Sequence, residues 1–201
     1  MIKNKYHHGN LKETFLKIAF EFIEEHDIDK LTLKILSDIA GTSRSAIYSH
    51  FSSKEALIEA MILNGFIKFD DYLTPNLKDK NIPLLNRLEK ASRDYIEFAK
   101  ANKVLYRLLF GNKYAHTRME VMTKNDPNRS GFGSLMFAIE EGQKDGLFKI
   151  DNSYKQTITI WSALHGLTSL LIDRFIGIED MYDELFDDMF SNILSGLLLK
   201  K

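Results

Sequence analysis

The fold turns on residues 32–57, TLKILSDIAGTSRSAIYSHFSSKEAL. Residues 32–40 spell a short helix with Thr32 at its N-cap, where a side-chain oxygen accepts from a first-turn N–H. Gly41-Thr42-Ser43 follows. Glycine just past a helix suits the left-handed position there. Ser43 is placed to cap a second helix, Arg44 to His50. Two short helices joined by a tight Gly-containing turn are the helix-turn-helix pattern. Ser52 and Glu55 then have capping-box spacing and predict the start of a further helix running toward Tyr72.

Helical periodicity extends in both directions. Upstream, Leu11, Phe15, Ile18, Ala19, Phe22 and Ile23 recur on one face of residues 9–26, with Lys12, Glu13, Lys17 and Glu21 on the other. Downstream, a break is expected from Thr74-Pro75-Asn76 to Pro83. Helices are then predicted at 83–101, 102–111, 116–124, 129–145, 153–177 and 180–199. Gly111-Asn112, Asp126-Pro127-Asn128 and Asp145-Gly146 supply the turns between them. No stretch sustains β alternation, and only 3 prolines punctuate the chain, so the expected class is all-α.

Composition narrows the function. At 201 residues, 44% hydrophobic and 27% charged, the chain can bury a real core and is not a disordered tail. With 0 cysteines it has no disulfide framework, thiolate zinc site or Cys nucleophile, which fits a reducing cytoplasm. Residues 1–8 lack the apolar run of a signal peptide, and polar residues interrupt 158–172, so no membrane association is expected. The net charge of -1 is segregated. Four lysines face one acid in residues 1–20, and Lys30, Lys34, Arg44 and Lys54 face Asp38 alone in 30–54. Residues 21–29 carry five acids and 178–188 six, with no Lys or Arg. A basic edge offset by acidic surfaces elsewhere is compatible with a nucleic-acid partner.

The Ala40-Gly41-x-Ser43 turn, the Ile47-Tyr48-x-His50-Phe51 end of the second helix and the Ser53-Lys54-x-x-Leu57 start of the next together resemble the TetR family of bacterial regulators. The resemblance is strong over residues 6–65. It implies an N-terminal three-helix helix-turn-helix DNA-binding domain (1–54), a connecting helix and linker (55–80), and a C-terminal helical ligand-binding and dimerisation bundle (81–201). The family's DNA contacts fall on Lys34, Arg44, Ser45, Tyr48, Ser49, His50 and Lys54; Thr32 and Thr42 complete the set. Ser37 stands where the family usually has Ala and Thr42 where it has Val. Ile35 and Ile39 occupy commonly polar positions and are either buried or an exposed apolar pair.

Chemistry gives each contact two readings. Arg44, at the start of the second helix, either grips guanine O6 and N7 bidentately or meets phosphate. Tyr48 is a phosphate ligand or a core aromatic. His50 is a phosphate ligand or a helix C-terminal cap. Lys54 sits in the first turn of a helix, where a cation is ordinarily unfavourable, so a phosphate bound between it and the free N–H groups explains it.

In the C-terminal half, Trp161-x-x-x-His165-Gly166 is similar to a motif of one TetR C-terminal subfamily, and Gly146-Leu147-Phe148 fits the same pattern. Trp161 and His165, at i and i+4, share a helix face. With Phe98, Tyr106, Phe110, Met119, Met122, Met136 and Phe137 they either line an effector pocket or form plain core. Gly166 allows close helix approach. The apolar stripe of the last helix is wide for one-sided packing, so Leu171, Phe175, Phe186, Phe190, Ile193 and Leu197 are expected in a two-fold, four-helix dimer interface.

The sequence contains no nucleophile elbow, zinc-protease helix, P-loop or dinucleotide fingerprint, so no enzyme activity and no cofactor are expected. His116 and Glu120 alone do not make a metal site. A helical adaptor without DNA contact leaves Lys54 and the turn unexplained. The expected partners are a double-stranded, pseudo-palindromic operator, a small-molecule effector and a second copy of the chain, with the protein acting as a ligand-released repressor.

Overall fold

The computed structural model describes residues 11–124, 130–175 and 177–199. The turn expected at Asp126-Pro127-Asn128 and the first residues of the resemblance lie outside them. The order is α1 (Leu11–Glu25), a 3-10 turn (Ile28–Lys30), α2 (Leu33–Ile39), α3 (Arg44–Tyr48), α4 (Lys54–Lys78), α5 (Leu84–Ala101), α6 (Lys103–Phe110) and α7 (Ala115–Lys124). After these come α8 (Gly131–Lys144), α9 (Ser153–Ile172), a second 3-10 turn (Ile178–Met181) and α10 (Tyr182–Leu197). The fold is all-α. Pairing between strands among the described residues is a single isolated bridge, Phe148 to Leu198.

Two compact units divide the chain. The first holds residues up to Gly65 together with Arg107–Val121; the second holds Phe66–Tyr106 and Met122 onward. In the first, Phe15, Ile18, Ala19 and Ile23 of α1 bury their stripe with Leu33 and Leu36 of α2, Ile47 of α3, Phe51 and Leu57. Burying each large side chain stabilises the unit by about 1.5–3 kcal/mol. The caps work locally: Thr32 Oγ1 accepts from Ile35 N and Ser43 Oγ from Ala46 N, both at 3.2 Å. Gly41 has φ +65°, the left-handed turn conformation that a Cβ disfavours.

The second unit packs α5, α8, α9 and α10 around Leu88, Tyr95, Ile96, Phe98, Ile139, Phe148, Leu164 and Phe186. A Cβ on Gly142 would lie 2.1 Å from the Phe148 ring, so only glycine lets that ring seat against α8.

Three expectations are corrected. α4 does not break at Pro75 but runs on to Lys78. Proline forfeits one helical hydrogen bond, yet Leu73 and Leu77 are buried on either side, Asn76 hydrogen-bonds Asp94, and Arg87 Nη1 donates to Leu77 O at 2.9 Å. α4 is capped by Ser53, whose Oγ accepts from Ala56 N at 3.2 Å, not by Ser52. The helix expected over 153–177 ends at Ile172, where Asp173 caps it and Arg174 takes φ 53°.

Candidate functional site

The first unit presents an edge built on α2 and α3. Ile47 is 0% exposed and anchors α3, which turns the residues beside it outward. Lys34, Arg44, Ser45, Ser49 and His50 are exposed, and Tyr48 is 57% exposed, which removes the core-aromatic reading. Ser45 Oγ sits 2.8 Å from the capping Ser43 Oγ, and Ser49 Oγ donates to Ala46 O at 2.7 Å. Ser37 is fully buried and satisfied by donating to Lys34 O at 2.8 Å, so its hydroxyl adds no surface contact. Ile35 is half-buried and Ile39 exposed, so the two do not act as a pair.

Two members of the expected set stand differently. Thr42 Oγ1 is buried, with no hydrogen-bond partner among the described residues, because the turn folds the side chain inward while Thr42 N donates to Ser37 O. Its hydroxyl is therefore not on the edge. Lys54 is half-buried, and its ammonium donates to Ile28 O and Asp29 O, each at 2.9 Å. Those bonds tie the start of α4 to the 3-10 turn. Lys113, which the sequence reading missed, reaches the same turn: its Nζ is 2.6 Å from Asp29 Oδ2 and 3.9 Å from Asp27 Oδ1. That hydrogen bond holds the Asp29 carboxyl below its usual range. Acids of the 21–29 run thus meet a lysine from far along the chain, a partner that no local pattern announces.

In the second unit, Trp161 and His165 of α9 stack with ring centroids 5.3 Å apart. Tyr106 Oη lies 2.6 Å from His165 Nδ1, and Tyr95 Oη lies 2.9 Å from Tyr106 Oη and 3.2 Å from the same nitrogen. Both tyrosines are buried. Burial is the largest influence on each phenol and raises it, so both stay protonated at neutral pH. Tyr95 was absent from the expected set; the signal was a tyrosine on a buried stripe, whose hydroxyl needs a partner. Phe98 joins this core edge-on to Phe69 at 5.0 Å, and Met136 is half-buried.

The other expected pocket residues are placed elsewhere. Met119, Met122 and Phe137 are 60%, 45% and 51% exposed, because the outer faces of α7 and α8 carry them. Phe137 lines an open groove of about 610 Å³ with Leu77, Lys78 and Lys144. Phe110 belongs to the first unit. His116 and Glu120 approach to 3.7 Å on an exposed face. Of the expected interface residues, Leu171 of α9 and Phe186 and Leu197 of α10 are buried within this chain, Phe186 beneath the Arg93 guanidinium of α5. Phe190 and Ile193 are half-buried and Phe175 is exposed. From its middle onward α9 exposes Ser162, Gly166 and Leu170, and among the described residues nothing outside the neighbouring turns of α9 lies within 4 Å of a Cβ built on Gly166.

At the end of α4, Asp70 accepts from Gly131 N at 2.6 Å and so caps the start of α8. Burial, the largest cause, pushes its carboxyl up to about 6.

A buried helix-turn-helix frame with a polar outer edge, joined to a helical bundle, is the architecture of a DNA-binding regulator. The chain belongs to the TetR family of bacterial regulatory proteins. The family's N-terminal model matches residues 15–61, and the model described as the tetracyclin repressor-like C-terminal domain matches residues 88–193. The chain is 26% identical over 142 residues to the HTH-type transcriptional repressor KstR2 of Rhodococcus jostii (strain RHA1), across 68% of this chain and 67% of that one. Among solved structures it is similar to a protein of unknown function from Rhodococcus sp. RHA1 (TM-score 0.81, 23% identity, 98% of this chain and 100% of that one). It is also similar to the fatty acid degradation regulator FadR of Bacillus halodurans (TM-score 0.70, 16% identity, 90% and 93%). As a member of this family it is a regulator and not an enzyme. No helix among the described residues is long and apolar enough to cross a membrane.

Proposed function

We propose that the protein is a repressor that binds a pseudo-palindromic operator as a homodimer and is released by a small molecule held in the second unit. The observation that carries the reading is the outward set Arg44, Ser45, Tyr48, Ser49 and His50 around a buried Ile47. A helix this short enters the major groove by its first residues, where Arg44 and Ser45 stand. Lys34, Tyr48 and His50 flank them as phosphate ligands. Lys54 acts on phosphate with the proton of its ammonium that the 3-10 turn does not take.

So short a reader touches few bases, and two copies at half-sites about one helical turn or a multiple apart supply the rest of the specificity. The outward face of α9, with Gly166 and Leu170, together with Phe190 and Ile193 of α10, forms the pairing surface; an exposed glycine lets a partner helix come close. The effector site is the core around Tyr106, Trp161 and His165. The ligand acts by binding the released state more tightly than the DNA-bound one.

A gel-shift with DNA from upstream of the protein's own gene tests the reading. A retarded band that weakens steeply with salt is expected. A folded dimer that gives no shift at low salt overturns it.

A further inference from the structure

The 3-10 turn at Ile28–Lys30 is gripped from two sides by lysines far apart in the sequence. From one side Lys54, at the start of α4, donates to Ile28 O and Asp29 O, each at 2.9 Å. From the other side Lys113, between α6 and α7, brings its Nζ within 2.6 Å of Asp29 Oδ2. Asp27 braces the turn from within: its Oδ1 accepts from Asp29 N at 2.8 Å and lies 3.9 Å from Lys113 Nζ. All of these residues belong to the first unit. Asp29 thus gives its carbonyl to one lysine and its carboxylate to the other.

The division matters for Lys54. An ammonium carries three protons, and two of these go to the turn carbonyls. The third is the one a DNA phosphate can take. A carboxylate competes for it better than water does, because the bond is charge-assisted. Asp29 carries such a carboxylate, on the very residue whose carbonyl Lys54 already grips. A lysine charge sits on a flexible stem, so a small swing carries it from one acceptor to the other. Lys113 stands in the way: it occupies Oδ2 and offsets the charge. We propose that Lys113 is a positioning residue for DNA binding, which holds the Asp29 carboxylate and so keeps the third proton of Lys54 open to a phosphate. Lys113 does this without touching DNA. The exposed Lys113–Asp29 pair adds little to stability; its weight lies in the pair it prevents. The inference rests on the phosphate role proposed for Lys54.

The test is the salt dependence of binding by the full-length protein to DNA from upstream of its own gene. Lys113→Ala is expected to lower the salt slope by about 1, as the loss of one phosphate contact does. Adding Asp29→Asn to Lys113→Ala removes the competing carboxylate and is expected to restore the wild-type slope. In a Lys54→Ala background, Lys113→Ala is expected to change binding no further. A slope that Asp29→Asn does not restore overturns the proposal, because Lys113 then acts by tethering the turn. An additive loss in Lys54→Ala overturns it too, because Lys113 then meets phosphate itself or acts through net charge. A measurement without DNA keeps this inference apart from the reading it rests on. The 15Nζ NMR signal of Lys54 is expected to move in Lys113→Ala and to return in Asp29→Asn/Lys113→Ala. A signal that does not move strikes the role of Lys113 alone, whereas a wild-type protein that gives no gel shift strikes the operator reading.

Discussion

The edge of α3 and the core of α9 solve the same problem, positioning polar atoms, in opposite ways. On α3 and just past its end, Arg44, Tyr48 and His50 stand in solvent, and one apolar side chain beneath them, Ile47, anchors the helix. On α9, His165 is held by other polar side chains, two of them from α5 and α6. The first arrangement anchors the backbone and leaves the side chains in solvent, which fits the proposed contact with DNA. The second fixes the side chains themselves by hydrogen bonds, which fits the proposed effector role. Apolar support sets direction; polar support sets chemistry.

Breaking the apolar support should have the largest effect. Ile47→Ala removes the anchor of α3 and is expected to destabilise the first unit by about 2–5 kcal/mol, read by thermal or urea unfolding. A loss under 1 kcal/mol would mean that α3 is held by its caps instead. Next come the edge residues. Arg44→Ala is expected to cost about 1–3 kcal/mol in operator affinity and to relax preference at one base pair. Lys54→Ala should weaken binding evenly across sequences and lower the salt slope by about 1. Because Lys54 also ties two carbonyls, its unfolding midpoint should drop as well, whereas that of Arg44→Ala should not. Equal midpoints for the two variants would remove the structural role of Lys54.

A smaller effect concerns Asp70. Its folded value, about 6, lies above the ordinary 3.8. A raised acid favours the fold while protonated, so this contribution is intact below the ordinary value and is lost as pH rises through about 6. Asp70→Asn keeps an acceptor for Gly131 N. It should flatten the pH dependence of stability in that window and raise stability at pH 7 by about 1 kcal/mol, after allowing for solvent screening. Unfolding curves that still slope equally between those values would place the titration elsewhere. The smallest effect is expected for Lys113→Ala. Its ion pair with Asp29 is solvent-exposed, so any change in stability should vanish as salt is raised.

What the sequence made legible follows from range. Thr32, Gly41 and Ser43 act within four residues of themselves, so their caps and turn could be read directly and stand as expected. Tyr95, Tyr106 and His165 act across 59 to 70 positions, and only the i, i+4 pair Trp161 and His165 left a local trace. Pro75 was misread because a helix breaker is a local signal, while the contacts that carry α4 past it come from α5. Phe137 and Met122 enter the expected pocket-or-core set on residue type alone, and type does not tell which face of a helix is covered. The last-helix stripe erred in the other direction: part of it, Phe186 and Leu197, is already spent inside the chain.

The first unit is not a continuous piece of chain, because residues 107–121 join it after the excursion of 66–106. During synthesis the reading head is therefore still unfinished when the helix that leaves it has already been made. Leu108, Leu109 and Val121, all buried, and Lys113, which closes on Asp29, arrive late. A fragment cut after residue 65 would carry every expected DNA contact and still be missing part of its own unit. Completion of that unit thus waits on translation through residue 121, and a message truncated before it is expected to yield no constitutively active stub.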